Sequence, residues 1–361
     1  LKAILDWLAT PVSPEPKDEL APLHAHLTAL RETQVAAHQR HKVLDLLYAR
    51  AYSAITRMVP ELKESSLPLS RRTRQAVRGM QDILRMVAED YLHTLDELDE
   101  RLIKGLRRPR ELTLWRAIDA LAQHLLISDY VAAPPAPGIW QMMHGAFDLA
   151  RHEGCSEATP TSAEISLREV YMRALLLASA QPASFTANEI SLVVDFIRRF
   201  GHRVTVLDSG TTPLPEHGVF WIDPGKDLPP TAATRRPPAE GALLFCYEAL
   251  AELADEEVTA LSAGVPPDQL DLPENAASAA GHGVLRRLAH YWGQPAKRRF
   301  PRRRQSYRAV LCVGLETLWS LFHEDQTQLG ELSSWMVTNE SPDGYALMHL
   351  SGKTSRLGAG D

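Results

Sequence analysis

Cysteine is scarce in this sequence, and its few positions argue against two kinds of cross-linked fold. Only Cys155, Cys246 and Cys312 occur among 361 residues, far apart and without a C-x-x-C pair. A disulfide framework or a cysteine zinc site needs paired or closely spaced cysteines. We therefore expect free thiols in a reducing compartment, which favours a cytoplasmic location.

Long apolar runs are also missing. No segment of the sequence is long enough to span a bilayer, and none has the pattern of a secretory signal peptide. The first residue is Leu1 rather than Met, so we expect a trimmed chain or a fragment. With 45% hydrophobic and 23% charged residues, the composition is that of a globular protein of two or three domains.

The common catalytic signatures are absent too. The patterns G-x-x-x-x-G-K-[ST], G-x-G-x-x-G, H-E-x-x-H and G-x-S-x-G do not occur. His38 and His41 could share a helix face, but no carboxylate or cysteine completes a metal site, and we interpret His41 as structural. A metal or phosphorelay role for these histidines stays an alternative. The sequence thus predicts no catalytic residues, no metal, no cofactor and no enzyme activity.

Hydrophobic spacing predicts long helices in the first third of the chain. A 3-4 spacing runs from Leu20 to Met58 and ends at Pro60, and a second one runs from Met80 to Leu102. Such stripes are typical of coiled-coil-like seams, so we expect a long helical hairpin or bundle in residues 1–110. Two long seams hold more apolar surface than one hairpin buries, which predicts a homo-oligomer.

Shorter elements are predicted in residues 111–296. Two β-type runs, Arg203–Leu207 and Val219–Ile222, are separated by turn residues and predict a small β-hairpin near residues 203–222. A boundary is expected near 293–297, and residues 297–361 would form a third domain. The expected fold class is mainly α, with helical patterns at 111–131, 139–152, 164–180, 186–200, 243–263 and 276–292.

One short segment is strongly basic although the net charge of the chain is −6. Between Lys297 and Arg308 there are seven basic residues and no acidic one. This local concentration favours an anion site over a surface that coats nucleic acid. The run contains R-x-x-x-R three times, as Arg298/Arg302, Arg299/Arg303 and Arg304/Arg308.

A second motif follows the basic run. Asn339, Ser341 and Gly344 form N-x-S-x-x-G after the apolar stretch Trp335–Val337. In this order, the two motifs resemble those of the PilZ domain, a small β-barrel that binds the bacterial second messenger cyclic di-GMP. The resemblance covers residues 297–361. It implies a cyclic di-GMP receptor whose helical part acts as a scaffold and passes the signal to an unknown downstream protein.

The resemblance also implies a set of ligand-binding residues, and their chemistry suits the ligand. Arginine can fork onto a phosphate or the guanine O6/N7 edge, Asn and Ser can reach a base edge, and glycine lets the backbone approach closely. The matching residues are Arg298, Arg299, Arg302, Arg303, Asn339, Ser341 and Gly344, with Arg304 and Arg308 as alternates.

Two departures from the family pattern bear on these expectations. Gly314–Phe322 has helical spacing, which predicts an inserted helix or a distorted hairpin between the motifs. Too few residues follow Gly344 for the remaining strands, so we expect an incomplete barrel. The alternative function is a helical scaffold whose basic segment 297–308 binds nucleic acid or an acidic protein.

Overall fold

The amphipathic stripes of the first half fold into helices that bury them. The computed structural model describes residues 1–65, 69–99, 108–207, 214–293, 302–311, 333–341 and 344–351. Within these ranges there are ten α-helices. They are α1 Lys2–Leu8, α2 Leu20–Glu32, α3 Ala37–Glu64, α4 Arg71–Asp99, α5 Arg108–Tyr130, α6 Ile139–His152, α7 Leu167–Ser179, α8 Ala187–Phe200, α9 Glu248–Ser262 and α10 Ala279–Gly293.

The chain divides into two compact units. The helical unit comprises Leu1–Lys63 and Arg72–Pro295, and the sheet unit comprises Glu64–Arg71 and Ala296–Asp361. The prediction of a mainly helical fold is confirmed. The separation of residues 1–110 from residues 111–296 as domains stays a prediction.

The predicted helical seams are correct in position, but their ends differ. The first seam is carried by two helices, because Thr33 has an extended backbone that ends α2. Helix α3 then continues through Pro60 to Glu64. A proline removes one backbone hydrogen bond, and here this does not end the helix. Leu102 lies outside the described residues.

Both seams are buried within this single chain. Five residues that represent the seams on α2, α3 and α4 are at most 1% exposed, namely Leu23, Leu44, Met58, Leu84 and Tyr91. The other helices of the chain therefore bury the apolar seam surface from which a homo-oligomer was predicted. Self-association stays a prediction.

Local sequence signals set the boundaries of the shorter helices. Thr186 and Glu189 form a reciprocal capping box at the start of α8, and Ser166 accepts a hydrogen bond from the Glu169 amide at the start of α7. Each cap satisfies backbone amides that have no partner inside the helix.

A four-stranded antiparallel sheet packs within the helical unit. Its strands are β1 Thr205–Leu207, β2 Val219–Ile222, β3 Thr231–Ala232 and β4 Leu243–Cys246, in the order β1-β4-β2-β3. The predicted hairpin of residues 203–222 is therefore wrong, because β4 lies between β1 and β2 and pairs with both. The buried β2 pairs along both of its edges, whereas the more exposed β1 lies at the edge of the described sheet and pairs only with β4.

A three-stranded antiparallel sheet forms the described part of the sheet unit. It consists of β5 Arg303–Leu311, β6 Ser333–Ser341 and β7 Gly344–Ser351, in that order. These strands do not close into a barrel, so the expected C-terminal barrel is not confirmed. The expected helix at Gly314–Phe322 lies outside the described residues.

Candidate ligand-binding site

Strand pairing brings the two sequence motifs of the sheet unit together. Arg304 lies directly opposite Asn339, and Arg303 lies opposite Glu340, across β5 and β6. On the other side of β6, Ser341 pairs with Gly344. The N-x-S-x-x-G motif thus spans the end of β6 and the start of β7, beside the basic run on β5.

A shift of register decides which side chains share a face of this sheet. The pairing of β6 with β7 shifts between Val337 and Asn339, which makes Thr338 an extra residue on β6. Such a bulge reverses the alternation of side chains along a strand. Asn339 therefore lies on the face opposite to Val337, which is 2% exposed.

We call the surface of the sheet that carries the Asn339 side chain the Asn339 face. It holds Asn339 and Ser341 from β6, and the alternation along β5 adds Arg304 and Arg308. Arg302 immediately precedes β5, so continued alternation would place it on the same face. The arginines at 302, 304 and 308 are all exposed, as expected for side chains available to a ligand.

The second surface, the Glu340 face, holds Arg303. Glu340 accepts hydrogen bonds from Gln305 Nε2 at 2.7 Å and from the Tyr307 hydroxyl at 3.0 Å, which places these side chains on one side. The hydrogen bond to Glu340 raises the pKa of Tyr307. The acidic Glu340 therefore lies away from Asn339, and Arg303 is the residue of the predicted set that shares its side.

Asn339 has an unsatisfied acceptor. Among the described residues, its side-chain oxygen Oδ1 is buried and has no hydrogen-bond partner. A buried polar atom without a partner destabilises a protein by about 1–3 kcal/mol. A ligand with an N–H group at this position would relieve that penalty.

The neighbours of Asn339 on β7 leave room for such a ligand. Ala346 lies opposite Asn339, and Gly344 lies opposite Ser341. Gly344 has φ +149°, a value that side chains rarely tolerate, and no atom lies within 4 Å of where a Cβ would be. Ser341 Oγ donates to the Gly344 carbonyl oxygen at 3.4 Å.

Two residues of the predicted set are not part of this surface as described. Arg298 and Arg299 lie outside the described residues. Arg304 and Arg308, which the sequence offered only as alternates, lie on the same face as Asn339, whereas Arg303 lies on the other face. No residue pattern signals the bulge at Thr338, so simple alternation from Val337 would have put Asn339 on the wrong face.

The predicted histidine positions form no metal centre in the described part of the chain. There, no group of three or more His, Cys, Asp or Glu side chains is arranged to hold an ion. His41 is buried, and its Nε2 lies 2.7 Å from Thr113 Oγ1. Burial lowers the pKa of His41 to about 4. Cys155 and Cys246 are free thiols, and Cys312 lies outside the described residues.

Comparison with known proteins gives a family match over the first part of the chain. Residues 2–211 match the family described as the N-terminal domain of the cyclic-di-GMP receptor FimW. The chain belongs to this family. The FimW match begins with α1 and ends just after β1, so it does not include the Asn339 face. No curated protein and no solved structure matches the chain.

The described helices were also compared with the requirements of a membrane-spanning segment. None of the described helices combines the length and the apolar character that crossing a bilayer requires.

Proposed function

We propose that this protein is a cyclic di-GMP receptor that binds the nucleotide on the Asn339 face in a PilZ-like manner. Membership of the FimW family supports cyclic di-GMP as the ligand. The observation that carries the site is the strand register that sets Arg304 opposite Asn339, with Gly344 opposite Ser341. In this proposal the protein is a cytoplasmic receptor without catalytic activity, cofactor or metal.

The arginines of this face would hold the anionic part of the ligand. Arg302, Arg304 and Arg308 are exposed, and the one acid on the neighbouring strand end, Glu340, points to the other side. A guanidinium group forms paired hydrogen bonds with phosphate and can stack on a guanine plane. Arg298 and Arg299, on the basic run before β5, are proposed as further contacts on the strength of the resemblance to the PilZ motif.

The N-x-S-x-x-G motif would recognise the base. The buried Oδ1 of Asn339 lacks a donor among the described residues, and guanine carries N–H donors on its base-pairing edge. Ser341 offers a hydroxyl on the same face. Ala346 and Gly344 would let a planar base approach the strand backbone, because neither carries more than one side-chain carbon.

The test is the affinity for cyclic di-GMP, measured by isothermal titration of the full chain and single variants. We expect Arg304→Ala and Arg308→Ala to weaken binding at least tenfold, because each removes charged hydrogen bonds to phosphate. Asn339→Ala should weaken it about ten- to a hundredfold. Arg303→Ala is the matched control, since it removes the same charge from the same strand on the other face.

Two outcomes would contradict the proposed site. One is a loss in Arg303→Ala as large as the loss in Arg304→Ala, because only total charge would then matter. The other is wild-type affinity in Asn339→Ala. Binding by none of these proteins, including the wild type, would reject the receptor function for this chain.

The alternative function is a scaffold that binds nucleic acid or an acidic protein through the basic segment. The exposed arginines 302, 303, 304 and 308 occupy both faces of the sheet, which suits a polyanion without a defined pose. Such binding falls steeply with salt and is indifferent to base identity. A preference for cyclic di-GMP over cyclic di-AMP at constant salt would exclude it.

The proposal also includes partners. A homo-oligomer and a downstream protein that responds to the nucleotide are expected, because a receptor must change the state of something else. Light scattering of the full chain with and without cyclic di-GMP would test the first of these.

A further inference from the structure

A cavity of about 550 Å³ lies in the helical unit between the ends of two helices and the four-stranded sheet. Its walls include Ser128 and Asp129 at the end of α5, Ser179 at the end of α7, and Phe220 on β2. It takes no part in the proposed nucleotide site, which lies in the sheet unit. Its volume is within the range of small-molecule sites.

The two helices present their negative ends to this cavity. Helix α5 ends at Tyr130 and α7 ends at Ser179, so the carboxyl end of each helix dipole reaches the wall. These ends carry partial negative charge and favour cations. Both helices are followed by a non-glycine residue in the left-handed region, Ala132 at φ +50° and Gln181 at φ +58°, and both residues line the cavity. Strained backbone of this kind is concentrated at functional sites.

The two serines at the helix ends offer acceptors to the cavity, whereas the donor-bearing side chains of its wall are Gln181, Thr231 and Arg235. Ser128 Oγ donates to the His124 carbonyl oxygen at 2.8 Å, and Ser179 Oγ donates to the Leu175 carbonyl oxygen at 2.8 Å. Their hydroxyl hydrogens are thus used inside the helices, and Ser179 can offer only lone pairs to a ligand. At the ends of α5 and α7, an acceptor-rich ligand would therefore find no hydroxyl donor.

Asp129 is the acidic group among the described residues of the wall, and Arg235 is the basic one. Arg235 is exposed, whereas Asp129 is partly buried. Burial raises the pKa of Asp129 to about 7, and no neighbouring cation counteracts this effect. A partly buried carboxylate that pairs with no described cation is stabilised by a positive ligand.

We propose that this cavity binds the cationic head of a small organic cation, an alkylammonium or alkylguanidinium group, with Asp129 as its counter-ion. The ring of Phe220, which stacks on Tyr247 at 4.7 Å, would face the alkyl part or the cation itself. The cation could belong to a free amine or to a basic side chain of another protein, and both present the same chemistry to Asp129.

The experiment titrates the full chain at pH 8, where Asp129 is mainly ionised, and follows binding by NMR. The probes are n-butylammonium, its neutral analogue 1-butanol, and the blocked peptide acetyl-Gly-Arg-Gly-amide. We expect saturable binding of butylammonium and no saturable binding of butanol. Saturation by the peptide alone would support the cation site and assign it to a protein side chain.

Variants show whether the binding occurs in this cavity. Asp129→Asn should weaken butylammonium at least tenfold, because it removes the counter-ion. Asp255→Asn, on the exposed face of α9, removes the same charge elsewhere and should not change the affinity. Ala133→Phe fills the cavity while Asp129 stays in place, and it should also abolish binding.

Three results would overturn the inference. They are equal binding of butanol and butylammonium, unchanged affinity in Asp129→Asn, and no saturation by any probe at millimolar concentration. If Asp129→Asn fails to fold, Ala133→Phe decides between this cavity and the surface. None of these results depends on cyclic di-GMP binding, so the two proposals fail separately.

Discussion

Asp129 shows at the scale of a single residue how an enclosed carboxyl group links stability to pH. Burial raises its pKa in the folded chain to about 7, from an ordinary value of 3.8. The folded state therefore holds the proton more tightly than the unfolded chain. The resulting stabilisation is complete below pH 4 and is lost as the pH rises through 7.

We expect this loss to be visible against Asp129→Asn, which cannot ionise. Between pH 5 and pH 8, the wild type should lose about 2 kcal/mol of unfolding free energy relative to the variant, since each pKa unit corresponds to about 1.36 kcal/mol. Urea unfolding at the two pH values measures the difference. Parallel pH profiles would contradict the burial of an unpaired carboxyl group. Other raised acids, such as Asp90, are common to both proteins and cancel.

The residues of the candidate site illustrate what sequence can and cannot predict at this scale. The motif identifies Asn339, Ser341 and Gly344 as candidates, and the structure places the first two at the end of β6 and Gly344 at the start of β7. Which arginines accompany them depends on the bulge at Thr338. Motif spacing only counts residues along the chain. It does not show that the pairing of β6 with β7 leaves one residue of β6 unpaired and so changes which side chains share a face.

Between elements, a buried ion pair ties the start of the chain to α3. Arg50 Nε donates to Glu19 Oε2 at 2.6 Å, and both side chains are at most 7% exposed. The other guanidinium nitrogens donate to the carbonyl oxygens of Trp7, Thr10 and Pro11. The hydrogen bond from Arg50 lowers the pKa of Glu19, in opposition to its burial.

Removing one partner of this pair should be strongly destabilising. We expect Arg50→Met to lower the unfolding free energy by about 3–5 kcal/mol, because it leaves the Glu19 charge buried and unpaired. Adding Glu19→Gln should recover part of the loss. Lys17→Met breaks an exposed pair with Glu61 and should change stability by less than about 1 kcal/mol. Urea unfolding measures both single variants. A similar loss of unfolding free energy in Arg50→Met and Lys17→Met would contradict the difference between the buried and the exposed pair.

The sequence predicts the helical stripes of the first half, but not the end of α2 or the order of the strands. The stripes of α3 and α4 are visible because a buried helix face repeats at every third or fourth residue. That repeat continues through Gln34 and Ala37, so it does not reveal that the backbone at Thr33 is extended. Nor could periodicity identify β4 as the strand between β1 and β2, since local apolar runs do not specify their partners.

For the whole molecule, the division into two units predicts how ligand binding alters thermal unfolding. A ligand that binds the folded sheet unit stabilises that unit by about 2.7 kcal/mol at a hundredfold excess over its Kd. We expect calorimetry to show two transitions, with cyclic di-GMP raising the temperature of one. The double variant Arg304→Ala/Arg308→Ala should keep both transitions and lose the shift. An equal shift of both transitions would instead indicate one cooperative unit.

The central position of β4 has a consequence for anyone who expresses part of this protein. The FimW match ends at residue 211, whereas the strand that pairs with Thr205–Leu207 is Leu243–Cys246. A fragment cut at the family boundary would therefore carry β1 with its hydrogen-bonding edge bare and Val206 open to solvent. Exposed strand edges recruit other chains, so such a fragment should aggregate, whereas one that ends at Pro295 keeps the sheet whole.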